Sequence, residues 1–121
     1  MQSGARAYGT VAKQVASPRE LEANLLLNAA SRLQTVRDGW AGTKPQLDAV
    51  LLHNRQLWTI FVDSMSADDN QLPIEIRQNI ANLGLFVFRQ TISMLADPAP
   101  ERLSPLIKIN RDLAAGLRGS A

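Results

Sequence analysis

The chain has 121 residues, which is the length of one globular domain. Apolar residues make up 45% of it and charged residues 20%, so the composition is that of a folded protein and not of a disordered one. There is no cysteine and there is one histidine, His53. This excludes disulfides, cysteine nucleophiles, zinc–thiolate centres and metal sites built from several histidines.

The first predicted helix begins at Ser17-Pro18-Arg19-Glu20, which has the residues of a capping box with proline in the first turn. Asp38-Gly39 is predicted to end it. We expect residues 1–16 to be a flexible N-terminal tail and residues 17–121 to be a single helical domain. The apolar stripe predicted to face the core consists of Leu21, Leu25, Ala29, Leu33 and Val36.

The second predicted helix covers about residues 45–64, and a loop follows at 68–70. Asn54 falls in the middle of its apolar face. The apolar residues that share this face are Leu47, Val50, Leu51, Leu57, Trp58, Phe61 and Met65.

The third predicted helix, about residues 73–95, carries two apolar stripes. The first contains Ile76, Ile80, Leu83, Val87 and Met94, and the second contains Leu85, Phe88, Ile92 and Leu95. Two apolar faces predict either that this helix is central or that one face serves a partner.

A rigid connector at residues 97–100 precedes the fourth predicted helix, which starts at Ser104-Pro105 and has Asn110 within its apolar side. The predicted fold class is therefore all-α, a small four-helix bundle-like domain with a flexible N-terminal tail.

Asn54 and Asn110 are polar groups on apolar helix faces. An amide buried there costs on the order of 1–3 kcal/mol unless it is hydrogen-bonded. Two interpretations are open: each amide bonds a neighbouring helix backbone and fixes the register, or the amides face a groove and bond an incoming helix.

The sequence contains no motif typical of catalysis, metal binding or phosphate binding, so no catalytic residue, no metal ligand and no cofactor is predicted. His53 is expected at the boundary between core and surface. The arginines are dispersed among acidic residues, which does not favour direct RNA binding. No apolar run is long enough for a membrane span and no secretory signal is visible, so a cytoplasmic protein is expected.

The remaining face of the third helix carries Asn79, Asn82, Phe86 and Arg89. An aromatic residue beside arginine and amides is typical of an interface hot spot. Trp58 and Phe61 lie at a spacing typical of core aromatics, with interface residues as the alternative.

Several segments, taken in order, resemble the FlaF family of flagellar biosynthesis regulators of alphaproteobacteria. The resemblance covers about residues 8–118. The segments that carry it are Ser17-Pro18-Arg19-Glu20-Leu21-Glu22-Ala23, Asn54-Arg55-Gln56-Leu57-Trp58-Thr59-Ile60-Phe61, Leu72-Pro73, Arg77-Gln78-Asn79-Ile80-Ala81-Asn82-Leu83-Gly84 and Ile107-Lys108-Ile109-Asn110-Arg111-Asp112-Leu113-Ala114-Ala115-Gly116-Leu117.

The resemblance implies a non-enzymatic cytoplasmic protein that binds flagellin as an export chaperone. It also implies positive post-transcriptional regulation of flagellin synthesis, in opposition to FlbT. The alternative is a regulator that acts through FlbT or the flagellin messenger RNA without binding flagellin.

Flagellin termini are amphipathic helices, which a surplus apolar face could cover. The hypothesis is that Asn79, Asn82, Phe86 and Arg89, with Arg55 or Trp58 nearby, form part of a flagellin-binding site.

Overall fold

The structure, a computed structural model, describes residues 17–40 and 44–119. These residues form helices and no strand, which confirms the predicted all-α class. The predicted tail lies outside the described residues, and the division into a tail and one domain stays a prediction. The elements are α1 (Pro18–Asp38), α2 (Lys44–Met65), α3 (Ile74–Ala96), a 3₁₀ helix (Pro100–Leu103) and α4 (Ser104–Gly119).

Helix α1 begins and ends as the sequence predicts. The backbone N–H of Glu20 donates to the Ser17 hydroxyl at 3.2 Å, and Pro18 lies in the first turn, where its missing N–H costs nothing. At the other end the Gly39 N–H donates to the Thr35 carbonyl at 3.0 Å. The capping chemistry therefore fixes both ends of the helix.

The core face of α1 is rotated from the predicted stripe. Leu21 and Leu25 are exposed, whereas Ala23, Leu26 and Ala30 are fully buried. The reason is that α1 packs on α4 and α2 at once, and small alanine side chains let neighbouring helices approach closely. Only the second half of the predicted stripe, Ala29, Leu33 and Val36, is buried.

The α2–α3 connection is held by side-chain hydrogen bonds. Asn70 Nδ2 donates to the Ser64 carbonyl at 2.9 Å, and Asn70 Oδ1 accepts from the Leu72 N–H at 2.9 Å. Arg77 Nη1 donates to the Met65 carbonyl at 3.2 Å, which caps the end of α2 with a positive charge. These bonds fix the position at which α3 starts relative to α2.

The predicted connector before α4 extends into a 3₁₀ helix that the sequence did not indicate. Leu103 is fully buried at its end. The Arg102 guanidinium bonds Asp97 at 3.0 Å and Ser93 Oγ at 2.9 Å, and Gln90 Nε2 donates to the Arg102 carbonyl at 2.9 Å. The connector is thereby tied to the last turns of α3.

Among the described helices α3 is peripheral, which does not support its interpretation as the central helix. Helix α1 packs against α4 and α2, while α3 packs mainly on α2 and touches α4 little. One long side of α3 consequently has no helix of the described chain against it. None of the described helices combines the length and the hydrophobicity that a membrane crossing needs.

Candidate partner-binding groove

The second apolar stripe of α3 lies at the protein surface. Leu85 is 53% exposed, Ile92 68% and Leu95 52%. On the neighbouring helix α2, Ile60 is 68% exposed and Leu52 46%. Large aliphatic side chains clustered at such exposure are typical of an interaction surface.

All of these side chains except Leu85 line two adjacent hollows between α2 and α3. The larger has a volume of about 790 Å³ and the smaller about 210 Å³. We call the two together the α2–α3 groove. Arg55 lines both hollows, whose other principal lining residues are Ile60, Phe88 and Ile92 in the larger and Leu52, Thr91 and Leu95 in the smaller.

Gly84 sets how closely α2 and α3 approach. A Cβ atom at this position would overlap the Val62 Cγ2 methyl and come within 3.6 Å of the Trp58 ring. Because the glycine has no side chain, the two helices pack tightly. The groove therefore has closely spaced walls.

The threonine hydroxyls in the groove are already hydrogen-bonded within their own helices. Thr59 Oγ1 donates to the Arg55 carbonyl at 2.8 Å, and Thr91 Oγ1 donates to the Val87 carbonyl at 2.7 Å. A hydroxyl that bonds the preceding turn has its hydrogen directed away from solvent. An incoming group consequently meets a mainly aliphatic surface around Arg55.

The Arg55 guanidinium has no ion-pair partner among residues 17–40 and 44–119. The ion pairs found there are Arg37–Asp38, Arg102–Asp97 and Lys108–Asp112. Asp48 lines the smaller hollow with Arg55 but precedes it by seven residues, about 10 Å along the helix. Within the described part of the chain, Arg55 is therefore a cation without an ion-pair partner in a mainly apolar groove.

Trp58, one of the predicted binding residues, is fully buried. Its Nε1 donates to Asn110 Oδ1 at 2.9 Å, and its ring packs 6.1 Å from that of Phe61. Burial removes Trp58 from any surface that a partner could touch in this structure. Trp58 contributes to the groove indirectly, because its buried ring lies beside Gly84, where α2 and α3 pack against each other.

The other predicted residues, Asn79, Asn82, Phe86 and Arg89, are exposed on α3. Phe86 lies about 120° around the helix from Ile92, and Arg89 about 60°, at 100° per residue. Arg89 therefore lies at the edge of the groove that Arg55 lines, whereas Phe86 lies outside it. The sequence signal that could have located the groove is Ile60, an aliphatic residue off the core stripe of its helix.

Asn54 and Asn110 meet each other in the core. Asn110 Nδ2 donates to Asn54 Oδ1 at 2.7 Å and lies 3.5 Å from the Leu26 carbonyl, while Asn110 Oδ1 accepts from Trp58. Both amides are fully buried. The result is closer to the register-fixing interpretation, but the principal partner is the other asparagine and not a backbone.

Two titratable groups of the described chain have a shifted pKa, His53 and Glu22. Burial lowers the pKa of His53, and the nearby positive charge of Arg32 lowers it further. Burial raises the pKa of Glu22, partly opposed by Arg19. Within the ranges that the structure describes, no three His, Asp or Glu side chains are grouped as metal ligands would be.

Comparison with known proteins gives one result. A family model described as flagellar protein FlaF matches residues 4–117, nearly the whole chain. No curated protein and no solved structure matches the sequence.

Proposed function

Since the chain belongs to the FlaF family of flagellar proteins, we propose that it binds flagellin in the cytoplasm as an export chaperone. We further propose that it promotes flagellin synthesis, in opposition to FlbT. Membership of the family shows that the chain is a flagellar protein. That it binds flagellin, and that it promotes flagellin synthesis, is what we propose.

The observation that supports a binding role is the aliphatic surface of the α2–α3 groove. Ile60 and Ile92, at 68% exposure each, would both lose contact with water under a docked helix. Complete burial of an aliphatic side chain stabilises a complex by roughly 1.5–3 kcal/mol. The groove thus offers the principal driving force for capture of an amphipathic helix.

The proposed site on α3 extends from the groove to the outer face of the helix. Arg55 lines the groove and Arg89 lies at its edge, while Asn79, Asn82 and Phe86 would contact parts of flagellin beyond it. Trp58 acts indirectly, because its burial holds α2 in place. A flagellin helix in this position could not polymerise with another flagellin.

Size-exclusion chromatography with light scattering tests the proposal. The protein is run alone, with full-length flagellin and with flagellin lacking its C-terminal helix. We expect a one-to-one complex that disappears with the truncation. No complex with full-length flagellin would refute flagellin binding, and mixtures with FlbT and with the messenger RNA would then test the alternative regulator.

Three variants distinguish the contribution of the groove to flagellin binding from that of the outer face of α3. Ile92→Glu places a charge in the groove and should abolish the complex, and Phe86→Glu should weaken it. The matched control is Leu25→Glu on α1, where an equally apolar residue is 51% exposed away from α3. Circular dichroism checks that each variant is folded, and loss of binding by Leu25→Glu alone would place the site elsewhere.

A further inference from the structure

We infer that the α2–α3 groove selects an amphipathic helix with a carboxylate at its centre, held by Arg55 between two apolar contacts. The inference deepens the proposed function and rests on it for the identity of the partner as flagellin. The recognition chemistry itself follows from the groove.

Arg55 is the cation that lines both hollows. The neutral side chains of Gln56, Thr59 and Thr91 lie around it, and Asp48 lines the smaller hollow. Arg55 supplies a guanidinium with up to five N–H groups, and guanidinium groups accept no hydrogen bond. The two threonine hydroxyls that line the groove donate to carbonyls of their own helices. Neutral acceptors compensate a guanidinium less well than a carboxylate does, and a carboxylate from the occupant would match Arg55 in charge and geometry.

Any helix that covers the groove also covers Arg55, because this residue lines both hollows. Removing a guanidinium from water is costly unless an opposite charge compensates it. No carboxylate of the described chain forms an ion pair with Arg55. Asp48 shares the smaller hollow with Arg55 but forms no ion pair with it. We therefore expect the occupant to supply the compensating charge, which makes Arg55 a specificity residue.

The apolar contacts lie on both sides of this charge. Leu52 precedes Arg55 by one helical turn and Ile60 follows it by about one and a half turns, and each is exposed. Leu95 and Ile92 on α3 line the corresponding hollows. The complementary helix accordingly has large aliphatic residues three or four positions before and after its carboxylate.

A second copy of the chain fits this chemistry less well. If two grooves met centre to centre about a twofold axis, Arg55 of one molecule would face Arg55 of the other. Arg89, which flanks the groove, would add a further positive charge on each side. Like charges in a covered interface oppose association.

Three model peptides test the inference. Each is an alanine-based helix of about 17 residues, roughly 25 Å long, with leucines flanking a central Glu, Gln or Lys. Binding to the full chain is measured by fluorescence anisotropy. We expect the Glu peptide to bind about tenfold more tightly than the Gln peptide, and the Lys peptide to bind more weakly still.

Reversing the charge at position 55 tests whether Arg55 causes the preference for the Glu peptide. Arg55→Glu should reverse the order, so that the Lys peptide binds best, whereas the control Arg32→Glu on α1 should leave the wild-type order unchanged. Affinities of the three peptides within about twofold of one another would overturn the inference, as would an equal effect of both variants. A wild-type dimer that Ile92→Glu dissociates would assign the groove to a second copy and also overturn it.

Full-length flagellin separates this inference from the proposed function. Flagellin that binds wild type and Arg55→Glu equally would support the proposed function and overturn the selection by Arg55. Peptides that show the expected order, together with flagellin that does not bind, would support the groove chemistry and refute flagellin as the ligand.

Discussion

Asn110 connects three helices through one side chain. Its amide accepts from Trp58 on α2, donates to Asn54 on the same helix and approaches the Leu26 carbonyl of α1. Buried hydrogen-bonded amides of this kind hold helices in one register, because sliding either helix would leave polar groups unpaired.

Replacing Asn110 by alanine should destabilise the protein by about 2–4 kcal/mol, because the Trp58 N–H loses its acceptor and a cavity forms. Urea denaturation followed by circular dichroism measures the change. The control is Asn82→Ala, an exposed amide on α3, which should change stability by less than about 0.5 kcal/mol. Equal effects of the two substitutions would show that the buried amide has no special role.

Glu22 predicts a pH dependence of stability. Its pKa is raised because burial disfavours the charged form. The folded state therefore binds the proton more tightly than the unfolded state, and this contribution is lost as the pH rises through the raised pKa. Glu22→Gln should accordingly stabilise the protein at pH 7 and have little effect at pH 3, as thermal unfolding at the two pH values would show. A variant that is less stable at pH 7 would contradict the assignment.

At the level of the helices, the pairing of α2 with α3 depends on a missing side chain. Gly84 lies where a Cβ atom would meet the stiff, β-branched Val62. The contact brings the two walls of the groove together, so a change here alters the groove as well as the stability.

Gly84→Ala should destabilise the protein by about 1–2 kcal/mol, since the overlap with Val62 exceeds the gain in helix propensity. Adding Val62→Ala should restore most of the loss, because the small side chain makes room for the new methyl. A double-mutant cycle from chemical denaturation measures the coupling. Additive effects of the two substitutions would mean that the residues at positions 62 and 84 are not in steric contact.

The ends of the helices could be predicted from sequence more surely than their faces. Ser17 and Pro18 act on the backbone of the adjacent helical turn, so a short segment of sequence is enough to predict where the helix begins. The face of α1 depends instead on which helices flank it, so Leu21 and Leu25 fit the period yet lie outside the core. The groove was predicted only in part, because the exposure of Ile60 and Ile92 depends on how the described helices pack, with none of them against that side of α3.

At the scale of the molecule, the four helices described in residues 17–40 and 44–119 are not equally packed by their neighbours. Helix α1 is packed from two sides by α2 and α4, whereas α3 packs mainly on α2. Regions with fewer buried contacts open more readily than the rest of a domain.

Hydrogen exchange should therefore be faster in α3 than in α1, as mass spectrometry of labelled peptides would report. Addition of the partner should slow exchange in α3 and α2 more than in α4, since the groove is formed by the first two. Uniform exchange over all four helices would contradict this order. Protection gained in α4 alone would place the partner away from the groove.

The guanidinium groups of Arg55 and Arg89, beside the exposed aliphatic surface, should also affect the solubility of the purified protein. At low ionic strength, we expect Arg55 and Arg89 to oppose contact between these surfaces, because each copy presents the same charge to the next. Salt shortens the range of that repulsion, and sulfate in particular strengthens the association of apolar surfaces. Concentrated solutions of the protein should therefore stay clear in buffer of low ionic strength and precipitate at low concentrations of ammonium sulfate. Ile92→Glu should raise the sulfate concentration at which precipitation begins.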